Sequence, residues 1–155
     1  MSFYWEIFFR ISLAAVLGAA IGFERERSHK SAGLRTHALV AMGAALLTVI
    51  SLSFGTGTAG SDPSRIISNI IVGIGFIGGG VIIREDGGKV RGITTAATLW
   101  VVAAIGIAVG MGFYREAIFS VGVAYFILTI LWLIERKASN KILYPSLRED
   151  NGHDE

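Results

Sequence analysis

Five apolar runs, each about the length of a bilayer-crossing helix and separated by short charged segments, constrain this 155-residue chain more than any other feature. A helix needs about 20 mostly apolar residues to cross roughly 30 Å of hydrocarbon. The runs extend over Phe3–Phe23, Thr36–Phe54, Ile66–Ile83, Thr94–Phe113 and Ala117–Ile134. None alternates polar and apolar residues as a barrel strand would. The expected fold class is therefore all-α: an integral membrane bundle of five transmembrane helices over residues 1–134, with a short cytoplasmic tail at 135–155. Only 17% of residues are charged, against about a quarter in a soluble domain. There is no cysteine, so disulfides, thiolate chemistry and thiolate-held zinc are excluded.

The loop charges predict an orientation. Arg25, Arg27, Lys30 and Arg35 follow the first run, Arg84, Lys89 and Arg91 follow the third, and Arg136, Lys137, Lys141 and Arg148 follow the fifth. The other side holds Arg10, Arg65 and Arg115. Basic residues are retained in the cytoplasm, which puts the N-terminus out and the C-terminus in. They are spread among loops rather than gathered in one patch, so no nucleic-acid partner is expected. Met1–Trp5 lacks a positive stretch, and the first run is expected to be a retained anchor rather than a cleaved signal.

The two basic hairpin loops resemble each other. Moving residues 25–45 by 59 places matches Arg25 to Arg84, Glu26 to Glu85, Lys30 to Lys89, Gly33 to Gly92, Thr36 to Thr95, Ala38 to Ala97, and Ala44–Ala45 to Ala103–Ala104. Either helices 1–2 and 3–4 form a parallel repeat, or both loops share a juxtamembrane composition. Gly18 and Gly22, and likewise Gly106 and Gly110, have the spacing that lets helix backbones touch in lipid. The third run holds Gly73, Gly75, Gly78, Gly79 and Gly80. That density fits either a closely packed central helix or a bent, unwound segment lining a cavity. The fifth run, with Phe119, Tyr125, Phe126 and Trp132, looks lipid-facing, peripheral or dimer-forming.

Candidate binding residues cluster near the first loop. On a continued helix Glu24 would meet Arg27 and Glu26 would meet Lys30. The segment is either a solvated helix end on anionic lipid or a charged surface packed against the second loop or a partner. A magnesium site at Glu24 or Glu26 is disfavoured by Arg25 and Arg27, and His29 and His37 have no helical metal-pair spacing, so no metal is expected. Thr36 and Thr95 begin apolar runs, where threonine caps helix N–H groups. Arg35 opposes the helix dipole there, which predicts that Glu24 or Glu26 holds it. Asn69 is expected to bridge helices, and Glu6 with Arg10 to form a neutralising pair one turn apart. Metalloprotease, nucleophile-elbow and phosphate-loop motifs are absent, as are deep acidic residues, so neither catalysis nor any cofactor is expected.

Two blocks carry a family resemblance. The first is Gly22-Phe23-Glu24-Arg25-Glu26-Arg27, followed by Lys30, Ala32-Gly33-Leu34-Arg35-Thr36-His37 and Leu39-Val40. The second is Gly78-Gly79-Gly80-Val81-Ile82-Ile83-Arg84, then Val90-Arg91-Gly92-Ile93-Thr94-Thr95-Ala96-Ala97-Thr98-Leu99-Trp100. In this order they resemble the MgtC/SapB membrane-protein family over roughly residues 5–130. The matching signature positions are Glu24, Arg25, Glu26, Gly33, Arg35, Thr36, His37, Arg84, Arg91, Gly92, Thr94 and Thr95. With Asn69, Gly78, Gly79 and Gly80 they make up the candidate binding set.

The resemblance implies a bacterial inner-membrane protein whose relatives support growth in low magnesium and survival of pathogens in macrophages. Those relatives are better described as modulators of other membrane proteins than as magnesium transporters. The ACT-like cytoplasmic domain of longer relatives is not expected here, and the acidic tail from Glu149 to Glu155 reads as disordered. The leading expectation is a non-enzymatic modulator of an inner-membrane partner, assembled as a homodimer or larger homo-oligomer in contact with lipid. The alternative is a small oligomeric transporter or channel for a cation or small solute.

Overall fold

The computed structural model describes residues 2–55, 62–84 and 89–134. Glu85, the 135–155 tail and its basic and acidic residues lie outside them. The described chain is almost entirely helical: α1 is Ser2–Arg27, α2 is Leu34–Gly55, α3 is Ser64–Gly80, α4 is Ile93–Met111 and α5 starts at Tyr114–Phe126. A single π turn, Ile127–Leu131, lies within the last helix. A two-residue hairpin, β1 (Ile83–Arg84) and β2 (Val90–Arg91), joins α3 to α4 with Ile83 opposite Arg91.

Four helices are long and apolar enough to cross a membrane: Tyr4–Arg27, Leu34–Ser53, Ile93–Met111 and Tyr114–Ile134. The third expected span falls short of that. Its helix has 17 residues, about 25 Å at 1.5 Å per residue. The apolar run continues to Ile83, but three consecutive glycines, each about 1 kcal/mol poorer than alanine in a helix, end it. Val81 and Ile82 N–H groups close on the Gly78 and Gly79 carbonyls, and the chain turns into β1.

The central element is α4, not the glycine-rich α3. It packs against each of the other four helices, and Leu99, Val102 and Val109 are completely enclosed. Both expected glycine pairs work at close approaches to α2. A Cβ on Gly18 would stand 2.5 Å from the His37 carbonyl oxygen, and one on Gly22 would stand 2.7 Å from Leu34 Cα. On α4 the corresponding contacts are Gly106 to the Ala41 carbonyl oxygen at 2.3 Å and Gly110 to Thr48 Cβ at 2.7 Å. Thus α2 lies between two glycine faces, and Ala41 touches both. Lipid supplies no hydrophobic drive between helices, so dispersion over these short separations holds the bundle together.

In α3 the outcome differs from either sequence expectation. The helix is continuous to Gly80, with no unwound segment. Of its glycines only Gly78 packs closely, at 3.6 Å from Ala96 Cβ, while Gly73, Gly75, Gly79 and Gly80 face open space. Phe76 is 86% exposed, so α3 is a peripheral helix. The start of α3 is tied to α2 by Ser51 Oγ, which donates to the Pro63 carbonyl at 2.7 Å. The last helix is peripheral as expected, with Phe119, Phe126 and Trp132 exposed.

At the end of the bundle away from the hairpin, Arg10 does more than pair with Glu6. Its Nη1 donates to the Gly110 carbonyl at 2.6 Å and its Nε to the Tyr114 hydroxyl at 3.2 Å. A cation thereby meets the negative end of α4, where Gly112 at φ 90° closes the helix.

Candidate functional site

The charged end of the bundle is built by the way α1 stops. The Lys30 N–H reaches the Arg25 carbonyl and the His29 N–H reaches the Glu26 carbonyl, both at 3.0 Å. This double closure needs a left-handed residue, and His29 takes that role at φ 53°. No glycine marks it, so a reversal was expected between the first two runs but not the residue at which α1 stops. The reversal brings α2 back along α1 and takes Lys30 off the helix that would have paired it with Glu26.

Glu24 and Arg25 are consequently buried, at 8% and 4% exposure. Glu24 accepts the Ser28 hydroxyl at 2.7 Å and Arg25 Nη1 at 3.3 Å. Glu26 turns to the other helix, accepting the Leu34 N–H at 2.9 Å. A carboxylate at a helix N-terminus satisfies an otherwise unpaired donor and complements the dipole. Neither expected pair forms: Lys30 lies past the end of α1, and Glu24, although on the same helix as Arg27, is taken by Ser28 and Arg25.

Three further expectations are corrected by this arrangement. Thr36 does not cap α2, because Glu26 does, and Thr36 stands two residues inside the helix. Thr95 does not cap α4: the N-cap is Gly92, without a side-chain hydrogen bond. Arg35 forms no ion pair with Glu24 or Glu26 and is exposed.

His37 is fully buried between α2 and α4. Its Nδ1 lies 2.9 Å from the Gly33 carbonyl, and its Nε2 lies 3.1 Å from Thr98 Oγ1. The carbonyl only accepts, so Nδ1 carries the hydrogen. Thr98 is also 2.8 Å from the Thr95 carbonyl. Its single hydroxyl proton serves either that carbonyl or a neutral His37, not both. Thr98 was not among the expected site residues, although its i,i+3 relation to Thr95 puts both on one face of α4.

Beside this cluster, under the hairpin, lies a cavity of about 730 Å³. Arg25, His29, Lys30 and Ser31 line it from the α1–α2 side, and Arg91, Gly92, Thr94 and Thr95 from the α4 side. Gly92 has φ 92°, and a Cβ there would lie 2.0 Å from the Val81 carbonyl oxygen, so only glycine lets the hairpin meet α4 this way. Of the expected residues the structure thus gathers Arg25, Arg91, Gly92, Thr94 and Thr95 around one space, with Glu24, Glu26, Gly33 and His37 bracing the α1–α2 junction next to it. His29 and Lys30 belong to the same space and were not in the expected set.

The remaining expected residues lie elsewhere. Arg84 is exposed on β1, and Gly79 and Gly80 face open space. Asn69 does not bridge helices: it is exposed and lines a separate apolar groove between α2 and α3 with Gly43 and Gly73. Among the described residues no three His, Asp or Glu side chains converge as a metal cluster.

A family model described as the MgtC family matches residues 11–137 of this chain, which covers the bundle and both loops of the site. The chain belongs to the MgtC family. Within that family it is similar to "Putative magnesium transporter YhiD" of Escherichia coli strain K12, at 38% identity over 155 residues, covering 96% of this chain and 71% of that protein. It is 44% identical to Protein MgtC of Salmonella typhimurium strain LT2 over 129 residues, which are 83% of this chain and 52% of that one. To protein slr0014 of Synechocystis it is 46% identical over 113 residues, 73% of this chain and 47% of that protein. No solved structure matches the chain. It is thus a membrane protein of the MgtC family, and its names among relatives link that family to magnesium.

Proposed function

We propose that this chain is a non-enzymatic protein of the bacterial inner membrane that acts by binding and modulating another membrane protein, in cells short of magnesium or under stress. The observation that carries the reading is that both carboxylates and the histidine at the α1–α2–α4 junction are already taken by groups of the bundle itself. Glu24 is taken by Arg25 and Ser28, Glu26 by the start of α2, and His37 by Gly33 and Thr98. Below them the helices meet through glycine and alanine, which favours a static packed bundle over an ion path. Large apolar faces on α3 and α5 remain for lipid, a second copy or a partner helix.

In this reading the N-terminus faces out and the hairpin end faces the cytoplasm, because seven basic residues of the two loops there stand against three at the other end. The short α3 still crosses, with the bilayer thinning locally to meet it. The loop identities mark an old parallel repeat whose loops have diverged: Arg25 is buried on a helix while Arg84 is exposed on a strand. The test is capture of tagged full-length protein from membranes in mild detergent, with mass measured by light scattering. A homo-oligomer carrying a second, reproducible membrane protein is expected. Recovery of this chain alone overturns the partner reading.

A second reading, a small oligomeric transporter of a cation or small solute, is favoured by the magnesium-transporter name that the YhiD relative carries. Magnesium flux into vesicles containing the purified chain would establish it, and folded protein without flux would remove it.

A further inference from the structure

The cavity under the hairpin has the chemistry of an anion receptor. Its lining includes Arg25, Lys30 and Arg91, and no described carboxylate. Its volume of about 730 Å³ falls in the range of ligand pockets. The 19-residue α4 begins at its wall, and the Gly92 N-cap supplies no side-chain acceptor to the first N–H groups. That leaves the positive end of a long helix facing a space already lined by cations, the arrangement that favours oxyanions.

Arg25 supplies an independent indication. It lines the cavity while only 4% exposed, and its buried Nε–H has no hydrogen-bond partner among the described residues. Its pairing to Glu24 at 3.3 Å is long for a charge-assisted bond. A buried guanidinium N–H left without an acceptor is rare in a folded protein and calls for an explanation. The hydroxyls of Ser31 and Thr94 add neutral donors to the same lining. Cations are repelled by such a wall, and several cations with added hydroxyl donors suit a phosphoryl group, which presents more acceptor oxygens than a carboxylate.

We propose that this cavity binds a phosphoryl oxyanion, carried either by an anionic lipid headgroup or by free phosphate. The rim favours neither source on charge alone, but exposed Ile83, Val90 and Ile93 beside the cations offer acyl chains a surface.

The full chain is purified, stripped of lipid and examined in two arms. Inorganic phosphate is titrated and followed by phosphorus NMR, and binding of phosphatidylglycerol against phosphatidylcholine is counted by native mass spectrometry. Saturable binding is expected in at least one arm: phosphate saturation assigns the free ion, and selective phosphatidylglycerol retention assigns the headgroup. The double variant K30Q/R91Q changes two exposed side chains and keeps its helical circular dichroism, yet binds about tenfold more weakly, equivalent to about 1.4 kcal/mol. R115Q, at the far end of the bundle, binds like the parent. Absence of binding in both arms, or equal binding by parent and K30Q/R91Q, overturns the proposal. Partner capture is a separate measurement, so the two proposals can fail independently.

Discussion

Replacing Gly106 by alanine asks whether backbone proximity sets the α2–α4 contact. The new Cβ would stand 2.3 Å from the Ala41 carbonyl oxygen and 2.9 Å from Ala44 Cβ. Ordinary contact begins at 3.4 Å, so the pair must separate by 3.4 − 2.3 = 1.1 Å. Neither obstacle is the free end of a flexible side chain, so no rotamer change relieves the clash. One turn away Gly110 sits against Thr48 Cβ and the Ala45 carbonyl, so the movement must carry much of the helix.

Overpacking of this kind costs about 1–3 kcal/mol, and alanine returns about 1 kcal/mol of helix propensity. The difference runs from about 0 to 2 kcal/mol, and because the clash is with backbone the expected net loss is at its upper end, about 2 kcal/mol. Gly73→Ala is the control, because its Cβ meets nothing within 4 Å and only the propensity gain of up to about 1 kcal/mol remains. Unfolding in mixed micelles with rising dodecyl sulfate, followed by far-ultraviolet circular dichroism, gives the order. G106A should unfold first and G73A at or beyond the parent midpoint. If G106A is as stable as the parent, short glycine contacts do not hold this bundle.

Thr98→Val removes the hydroxyl facing His37 Nε2 and leaves a buried ring nitrogen unpaired, for a loss of about 1–3 kcal/mol in the same assay; Thr98→Ser should recover most of it, and equal stability of all three removes the His37–Thr98 link. Gly92→Ala places a Cβ 2.0 Å from the Val81 carbonyl at φ 92°, a left-handed position costing roughly 1–2 kcal/mol before the clash is counted. Faster proteolysis between residues 81 and 92, with the helical signal preserved, is the expected result, and an unchanged cleavage rate refutes it. Hydrogen bonds from Ser64, through its side chain and its N–H, hold the Asp62 carboxyl below its ordinary 3.8. Its support for the start of α3 is therefore present above 3.8 and lost as pH falls through the lowered folded value. The Ser64 amide shift in NMR should titrate with a midpoint under 3.8, and a midpoint above it contradicts that geometry.

Much of the architecture was legible because membrane helices are written in one dimension. Run length sets whether a helix crosses, and small residues four apart set where backbones meet. The pairs Gly18–Gly22 and Gly106–Gly110 could be read from spacing alone, and both lie against α2. Density of glycine was a poorer guide. In α3 it sits mostly on an open face, because a glycine permits a close approach without requiring one, and the partner helix decides whether it occurs.

The charged end was legible only as a list of residues. Local spacing paired Glu24 with Arg27, but Ser28 and Arg25 take that carboxylate; it paired Glu26 with Lys30 only by assuming that α1 continued. A left-handed His29 ends the helix instead, sends Glu26 to α2 and buries Glu24 with Arg25. The His37–Thr98 contact, 61 residues apart in the chain, had no local signal at all. Sequence alone determined that this chain is a helical membrane protein with two strongly charged loops, since hydrophobic length and loop composition are properties of contiguous segments. Only the tertiary structure decided which of those charges are buried, paired or left facing a cavity, because a polar group's energy depends on the acceptors that other helices bring to it.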